Sequence, residues 1–165
     1  MQDKIAKHGH RHTNYQVWEV LEIILSSDVV NLKRKFEAGA NSAITQYFFN
    51  PDGYFYLLDD CARHGINMPI VAGIMPITQF SRLVRFSDMC GAEIPRWIRK
   101  RLESYGDDVN AIQEFGLEIV YNLCQRLIAG GAPGIHFYTL NRAEACQSLL
   151  NMLNAEMLIP QGQLT

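Results

Sequence analysis

The sequence predicts an α/β fold in which parallel strands are flanked by helices. Three observations point there. Apolar runs of strand length recur at "AITQYFF", "MPIVAGIMP" and "GIHFYTL", and they are continuous rather than alternating. Stretches with helical periodicity separate them, and strands joined through helices run parallel with right-handed crossovers. Continuous apolar strands need cover on both sheet faces, as in α/β barrels and doubly wound sheets.

Each element has its own signal. "SDVVNLKRKFEAGAN" reads as a helix with Asp28 as N-cap and Gly39 as stop. After the first strand, "NPDGYFYLLDDCARHG" opens with Asn50 as cap and Pro51 in the first helical position. Its apolar residues Tyr54, Leu57, Leu58 and Cys61 recur at helical spacing, and Gly65 ends it. The second strand leads into "TQFSRLVRFSDMCG", a helix with Thr78 in the cap position. "IPRWIRKRLESYG" and "DDVNAIQEFGLEIVYNLCQRLIAGG" are two further helices. The longer one carries an apolar stripe of Val109, Ile112, Ile119, Val120, Leu123 and Leu127. Past the third strand, "NRAEACQSLLNML" is a closing helix, with Asn141 and Glu144 spaced like a capping box.

Ahead of these lies a different segment, residues 1–27. "YQVWEVLEIIL" is a short apolar element that periodicity alone leaves open between strand and helix. His8, His10 and His12 alternate, which suits either a metal-binding strand or a polar terminus without a ligand. The expected organisation is therefore an unassigned segment over 1–27, one α/β unit over 28–153 and a tail over 154–165. No low-complexity linker divides the central unit.

Composition narrows the function classes. The chain has 165 residues, 48% hydrophobic and 19% charged, with a formal net charge of -2. That balance argues against a nucleic-acid footprint, which needs a basic surface. No apolar run approaches the ~20 residues that span a bilayer. The start "MQDKIAKHGHRH" lacks the apolar core of a secretory signal, so the cytoplasm is the expected location. Cys61, Cys90, Cys124 and Cys146 lie far apart without CxxC pairing, so they read as reduced thiols and not as zinc ligands.

In either α/β architecture, ligands bind beyond the carboxyl ends of the strands. The hydrogen-bonding groups expected there are Gln46, Thr78, Tyr138, Thr139, Asn141 and Arg142. Gln46 admits two readings, a satisfied core amide or a ligand contact. Thr78 and Asn141 double as caps, and Tyr138 as packing. A second group, Asp28, Asn31, Arg34 and Lys35, recurs every three or four residues along one helical flank. Cations and amides near a helix start suit a phosphate, and a carboxylate suits a ribose hydroxyl; a solvated charged flank is the alternative. GxGxxG, GxxxxGK[ST], GxSxG and HExxH are missing. Asp59, Asp60, Asp107 and Asp108 form no acid–base dyad, because adjacent helical positions point apart, and Asp107 and Asp108 at a helix start read as caps.

Four separated motifs, "DVVNLKRKFEAGANSAITQYFFN", "GIMPIT", "EIPRW" and "HFYTLNRAE", resemble the C-terminal part of the methylenetetrahydrofolate reductase family over Asp28 to Leu153. The resemblance implies the C-terminal portion of a TIM (β/α)8 barrel. About three strands are expected here, whereas a closed barrel has eight and typically ~250 residues. It also implies an FAD flavoprotein that uses NAD(P)H to reduce 5,10-methylenetetrahydrofolate to 5-methyltetrahydrofolate, which feeds methionine synthesis. Asp28, Asn31, Arg34 and Lys35 are then the contacts to the ribose and pyrophosphate of FAD. Gln46 contacts folate and the nicotinamide substrate, Phe86 stacks on a bound substrate, and Tyr138, Leu140 and Arg142 complete the substrate side.

The family's proton-donating glutamate and flavin-tuning aspartate have no counterpart here, nor does its Tyr-Pro-x-x-His segment. The chain is therefore expected to be a truncated part of such an enzyme, inactive alone and binding FAD weakly or not at all, with no catalytic groups and no metal within it. Arg82 stands where some relatives have glutamine, and no role is carried over to it. The expected partners are folate, a nicotinamide nucleotide, and either a second copy or a complementing N-terminal half. The alternatives are a catalytically dead half-barrel serving as an association module, or another barrel enzyme that takes phosphate at "NLKRK".

Overall fold

A computed structural model describes the backbone of residues 26–157 and the side chains of residues 29–155. The His8, His10 and His12 alternation and the "YQVWEVLEIIL" element lie outside the described residues. In chain order the elements are α1 (Ser26–Glu37), β1 (Ala43–Tyr47), α2 (Pro51–Arg63), β2 (Ile70–Ile74), α3 (Phe80–Cys90), α4 (Arg96–Ser104), α5 (Val109–Ala129), β3 (Ile135–Phe137) and α6 (Glu144–Met157). The strands form one parallel sheet in the order β1-β2-β3. Consecutive strands are neighbours, and the sheet does not close on itself among the described residues. This is the α/β progression of part of a barrel.

The helices form where apolar spacing and punctuation agree. In α2, Asn50 caps the first turn by accepting the Asp52 N–H at 3.0 Å, with Pro51 in the first helical position. Pro51, Tyr54, Leu57 and Cys61 face the core. The Tyr54 hydroxyl donates to the Ile70 carbonyl at 2.7 Å, tying α2 to the start of β2, and its ring stacks on Phe48. Asp108 caps α5 through the Ala111 N–H at 3.0 Å. The stripe of α5 that enters the core is Ile112, Gly116, Val120, Leu123, Cys124 and Leu127.

Several local expectations are corrected. α1 begins at Ser26, so Asp28 lies in its first turn and not at the cap. The cap of α3 is Gln79 in extended backbone, which places Thr78 one residue outside. Val109 is 48% exposed, because the first residue after a cap on a surface helix still faces water, and Ile119 is half-buried. The third strand spans only Ile135–Phe137 and is half-exposed, since its outer edge has no neighbour among the described residues. Asn141 has φ +62 in a turn, and the first bond of α6 runs from Gln147 N–H to the Ala143 carbonyl. Ala143 therefore occupies the cap, and no capping box forms. α6 continues to Met157, past Leu153.

One irregularity matters for the site. Ala43 pairs with Ile70 and Ile44 with Val71, but Tyr47 pairs with Gly73, so Thr45 and Gln46 together oppose Ala72. This is a β-bulge, a device that bends a strand and re-aims a side chain.

Candidate functional site

At the bulge the backbone hydrogen bonds are rerouted through side chains. Thr45 is fully buried. Its hydroxyl accepts the Gly73 N–H at 2.8 Å and donates to the Gln46 carbonyl at 2.8 Å. The Thr45 carbonyl accepts the Tyr138 hydroxyl at 2.9 Å, while the Tyr138 N–H bonds the Ile74 carbonyl at 2.8 Å. One polar network thus joins the carboxyl ends of all three strands. Gly73 makes room for it: a Cβ there would meet the Thr45 carbonyl at 2.2 Å and the Tyr138 ring at 2.8 Å.

Gln46 is 9% exposed, and its Oε1 accepts the Tyr47 N–H at 3.0 Å. Only oxygen can accept from an N–H, so the amide nitrogen is the free end. That nitrogen has no hydrogen-bond partner among the described residues. A buried donor without a partner costs about 1–3 kcal/mol, which makes this nitrogen a candidate ligand contact.

Two adjoining cavities lie beside this network. The first is lined by Met75, Thr78, Gln79, Arg82, Tyr138, Leu140 and Arg142, and at about 20 Å³ it holds little more than a water. The second is lined by Gln79, Arg82, Arg85, Phe86, Met89 and Leu140 and opens to about 590 Å³, ample for an aromatic ring system. They share Gln79, Arg82 and Leu140. Leu140 and Asn141 have φ of +48 and +62, a strained pair of the kind that clusters at binding turns. Burial pushes the Tyr138 hydroxyl above its ordinary value, with a smaller push from Cys90. Tyr47 moves the same way, mainly through burial, while its bond to Ser87 at 3.0 Å opposes the shift.

The structure therefore brings Phe86, Tyr138, Leu140 and Arg142 around two linked cavities. Gln46 lines neither, and connects to them through Thr45 and Tyr138. Sequence alone assigned no role to Thr45, Gln79 or Arg82. Thr45 carried a usable signal, a hydroxyl inside an apolar strand beside the conspicuous glutamine.

The other predicted group stands separately. Asn31, Arg34 and Lys35 are exposed on α1, and the Arg34 guanidinium donates to Asn31 Oδ1 at 3.3 Å. The shared flank is as expected, but Arg34 and Lys35 occupy the last turn of α1 and not its start. The helix dipole there favours the cations themselves and supplies no backbone N–H groups to an anion. No hydrogen bond or ion pair among the described residues links Asn31 or Arg34 to the strand-end network. The side chain of Asp28 lies outside the described residues. No cluster of metal-ligating side chains and no helix long and apolar enough to cross a membrane occurs among the described residues.

Consecutive parallel strands with hydrogen-bonding groups converging at their carboxyl ends define a barrel-type binding scaffold. The chain belongs to the methylenetetrahydrofolate reductase family, whose model matches residues 15–154. It is 40% identical over 126 residues to the 5,10-methylenetetrahydrofolate reductase of Buchnera aphidicola from Schizaphis graminum, an alignment covering 76% of this chain and 43% of that protein. The Escherichia coli enzyme of the same name is 38% identical over 127 residues, covering 77% of this chain and 43% of that one. An Arabidopsis thaliana relative, methylenetetrahydrofolate reductase (NADH) 1, is 36% identical over 115 residues, covering 70% and 19%. The chain thus spans less than half the length of these relatives. Among solved structures, an uncharacterized protein from Clostridium thermocellum that binds two copies of 5-methyl-5,6,7,8-tetrahydrofolic acid superposes with TM-score 0.61 at 20% identity. That superposition covers 86% of this chain and 53% of the other, and it supports the fold.

Proposed function

We propose that this chain supplies the substrate-facing strand ends for FAD-dependent reduction of 5,10-methylenetetrahydrofolate to 5-methyltetrahydrofolate with NAD(P)H. The observation that carries the reading is Gln46 at the bulged end of β1, a residue only 9% exposed whose amide nitrogen has no hydrogen-bond partner among the described residues, in a chain of this family. In this proposal Gln46 donates to a ring carbonyl or amide of folate or nicotinamide. The Phe86 ring stacks on the bound ring, and Arg142 offers a guanidinium to a carboxylate or phosphate. Tyr138 and Leu140 shape the entry. Asn31, Arg34 and Lys35, with Asp28 nearby in the same helix, suit the diphosphate and ribose of FAD because their donors are exposed along one flank. When bound, FAD supplies the hydride carrier. This chain's own residues bind and orient, and the reading assigns no proton transfer to them.

The test is titration calorimetry of the purified chain with 5-methyltetrahydrofolate. Saturable binding is expected, weakened about tenfold by Phe86→Ala, the loss that matches one stacking interaction. Gln46→Ala is expected to weaken it similarly. A folded protein that binds no folate overturns the proposal, as does binding that ignores both substitutions.

A second reading, association through the sheet, has its own support. The sheet is open among the described residues, and the paired Ile44 and Val71 are its incompletely buried positions on β1 and β2. Sedimentation separates the two readings: this one requires a concentration-dependent dimer or larger species, while the folate reading does not.

A further inference from the structure

The Thr45 hydroxyl sits where a regular parallel ladder would place a backbone carbonyl. It takes the Gly73 N–H and returns its own proton to the Gln46 carbonyl, so both of its hydrogen-bonding roles are filled inside a fully buried site. The same residue's carbonyl is held by Tyr138 from β3's far end. The register shifts at this point, and Gln46, which with Thr45 opposes Ala72, accepts the next N–H with its side chain. Valine has the same shape as threonine but offers no hydrogen bond. At this position it would leave Gly73 N–H and Gln46 C=O competing for other partners, and the bulge would be free to slip back toward a regular register.

We propose that Thr45 is the positioning residue of the site: its hydroxyl fixes the bulge and thereby the orientation of the Gln46 amide. The inference rests on Gln46 being the ligand-facing group, yet its structural half stands alone and is tested apart from ligand. In the wild-type protein, NMR should find the Thr45 hydroxyl proton slowly exchanging and close to the Gly73 amide proton. In Thr45→Val, the Gly73 amide should exchange at least about tenfold faster, as expected for one lost buried hydrogen bond. The Gln46 side-chain amide resonances should move as well. Thr45→Ser, which keeps the hydroxyl, should preserve both signals.

The affinity for 5-methyltetrahydrofolate should fall about tenfold in Thr45→Val and stay near wild type in Thr45→Ser. A Thr45 hydroxyl proton that exchanges freely in the wild type overturns the proposal, even if Thr45→Val does not fold. So does a folded Thr45→Val with unchanged Gly73 protection and Gln46 shifts. If the NMR signals respond as stated while no variant, wild type included, binds folate, Thr45 positions Gln46 and the folate reading fails instead.

Discussion

Gly73 is the residue on which two neighbours converge. Replacing glycine by alanine usually stabilises a compatible backbone by about 0.4–1 kcal/mol, because the unfolded chain loses freedom. Here the new methyl would stand 2.2 Å from a backbone carbonyl that cannot rotate away. The steric term wins, and Gly73→Ala should lower unfolding free energy by at least about 2 kcal/mol, read as a fall in the urea midpoint at constant slope. The buried acids make a separate prediction. Burial pushes the Cys124 thiol up to about 12 and the Tyr54 hydroxyl up to about 12. Cys61 rises to about 11, through burial first and the Asp60 charge second. A raised folded value favours the protonated, folded form. That contribution is complete below the ordinary values of 9.0 for a thiol and 10.0 for a tyrosine, and it is lost as pH climbs toward 11 and 12. Urea midpoints should therefore hold steady from neutral pH to about pH 9 with respect to these groups and then decline. A midpoint that rises between about pH 9 and 11 would contradict the burial of all three.

Among the elements, α2 shows how local signals and packing cooperate. Asn50 satisfies a free N–H, Pro51 presets the first turn, and the apolar residues that follow sit one helical turn apart over β1 and β2. Asn50→Ala should cost about 0.5–2 kcal/mol, with Asn50→Asp nearly neutral, both measured by thermal unfolding. The caps of α2 and α5 were legible because asparagine and aspartate precede clear apolar periodicity. The caps of α3 and α6 were not. Thr78 and Asn141 are good capping residues in composition, but the turns after β2 and β3 extend the backbone further before each helix begins. Both residues were drawn into the strand-end region instead. Propensity names which residues are able to cap; the length of the turn decides which one does.

Across the whole molecule, parallel strands alternating with helices were plain from continuous apolar runs, and the strand order β1-β2-β3 follows from chaining neighbours. Of the five residues proposed for the substrate side, Tyr138, Leu140 and Arg142 line the smaller cavity, and Phe86 and Leu140 the larger one beside it. The fifth, Gln46, joins them through Thr45 and Tyr138. That link was invisible because a bulge is a register event between two strands, and no single segment of sequence records it. The α1 flank was legible as a row of donors, whereas its place in the last turn depended on where the helix starts, a boundary that pattern sets only loosely.

The bulge network has a consequence for how such a chain can vary. Thr45, Gly73 and Tyr138 lie 28 to 93 positions apart in sequence yet share two hydrogen bonds and one steric vacancy. A side chain at position 73 is acceptable only if the Thr45 carbonyl and the Tyr138 ring both retreat. A change at either of those strands the groups it leaves behind. The effect of a substitution at any one of the three is therefore conditional on the other two, so that viable sequences are joined here by concerted replacements and not by single steps. Substitutions around the carboxyl ends of the strands are correspondingly constrained by this coupling, which the exposed helix surfaces do not share.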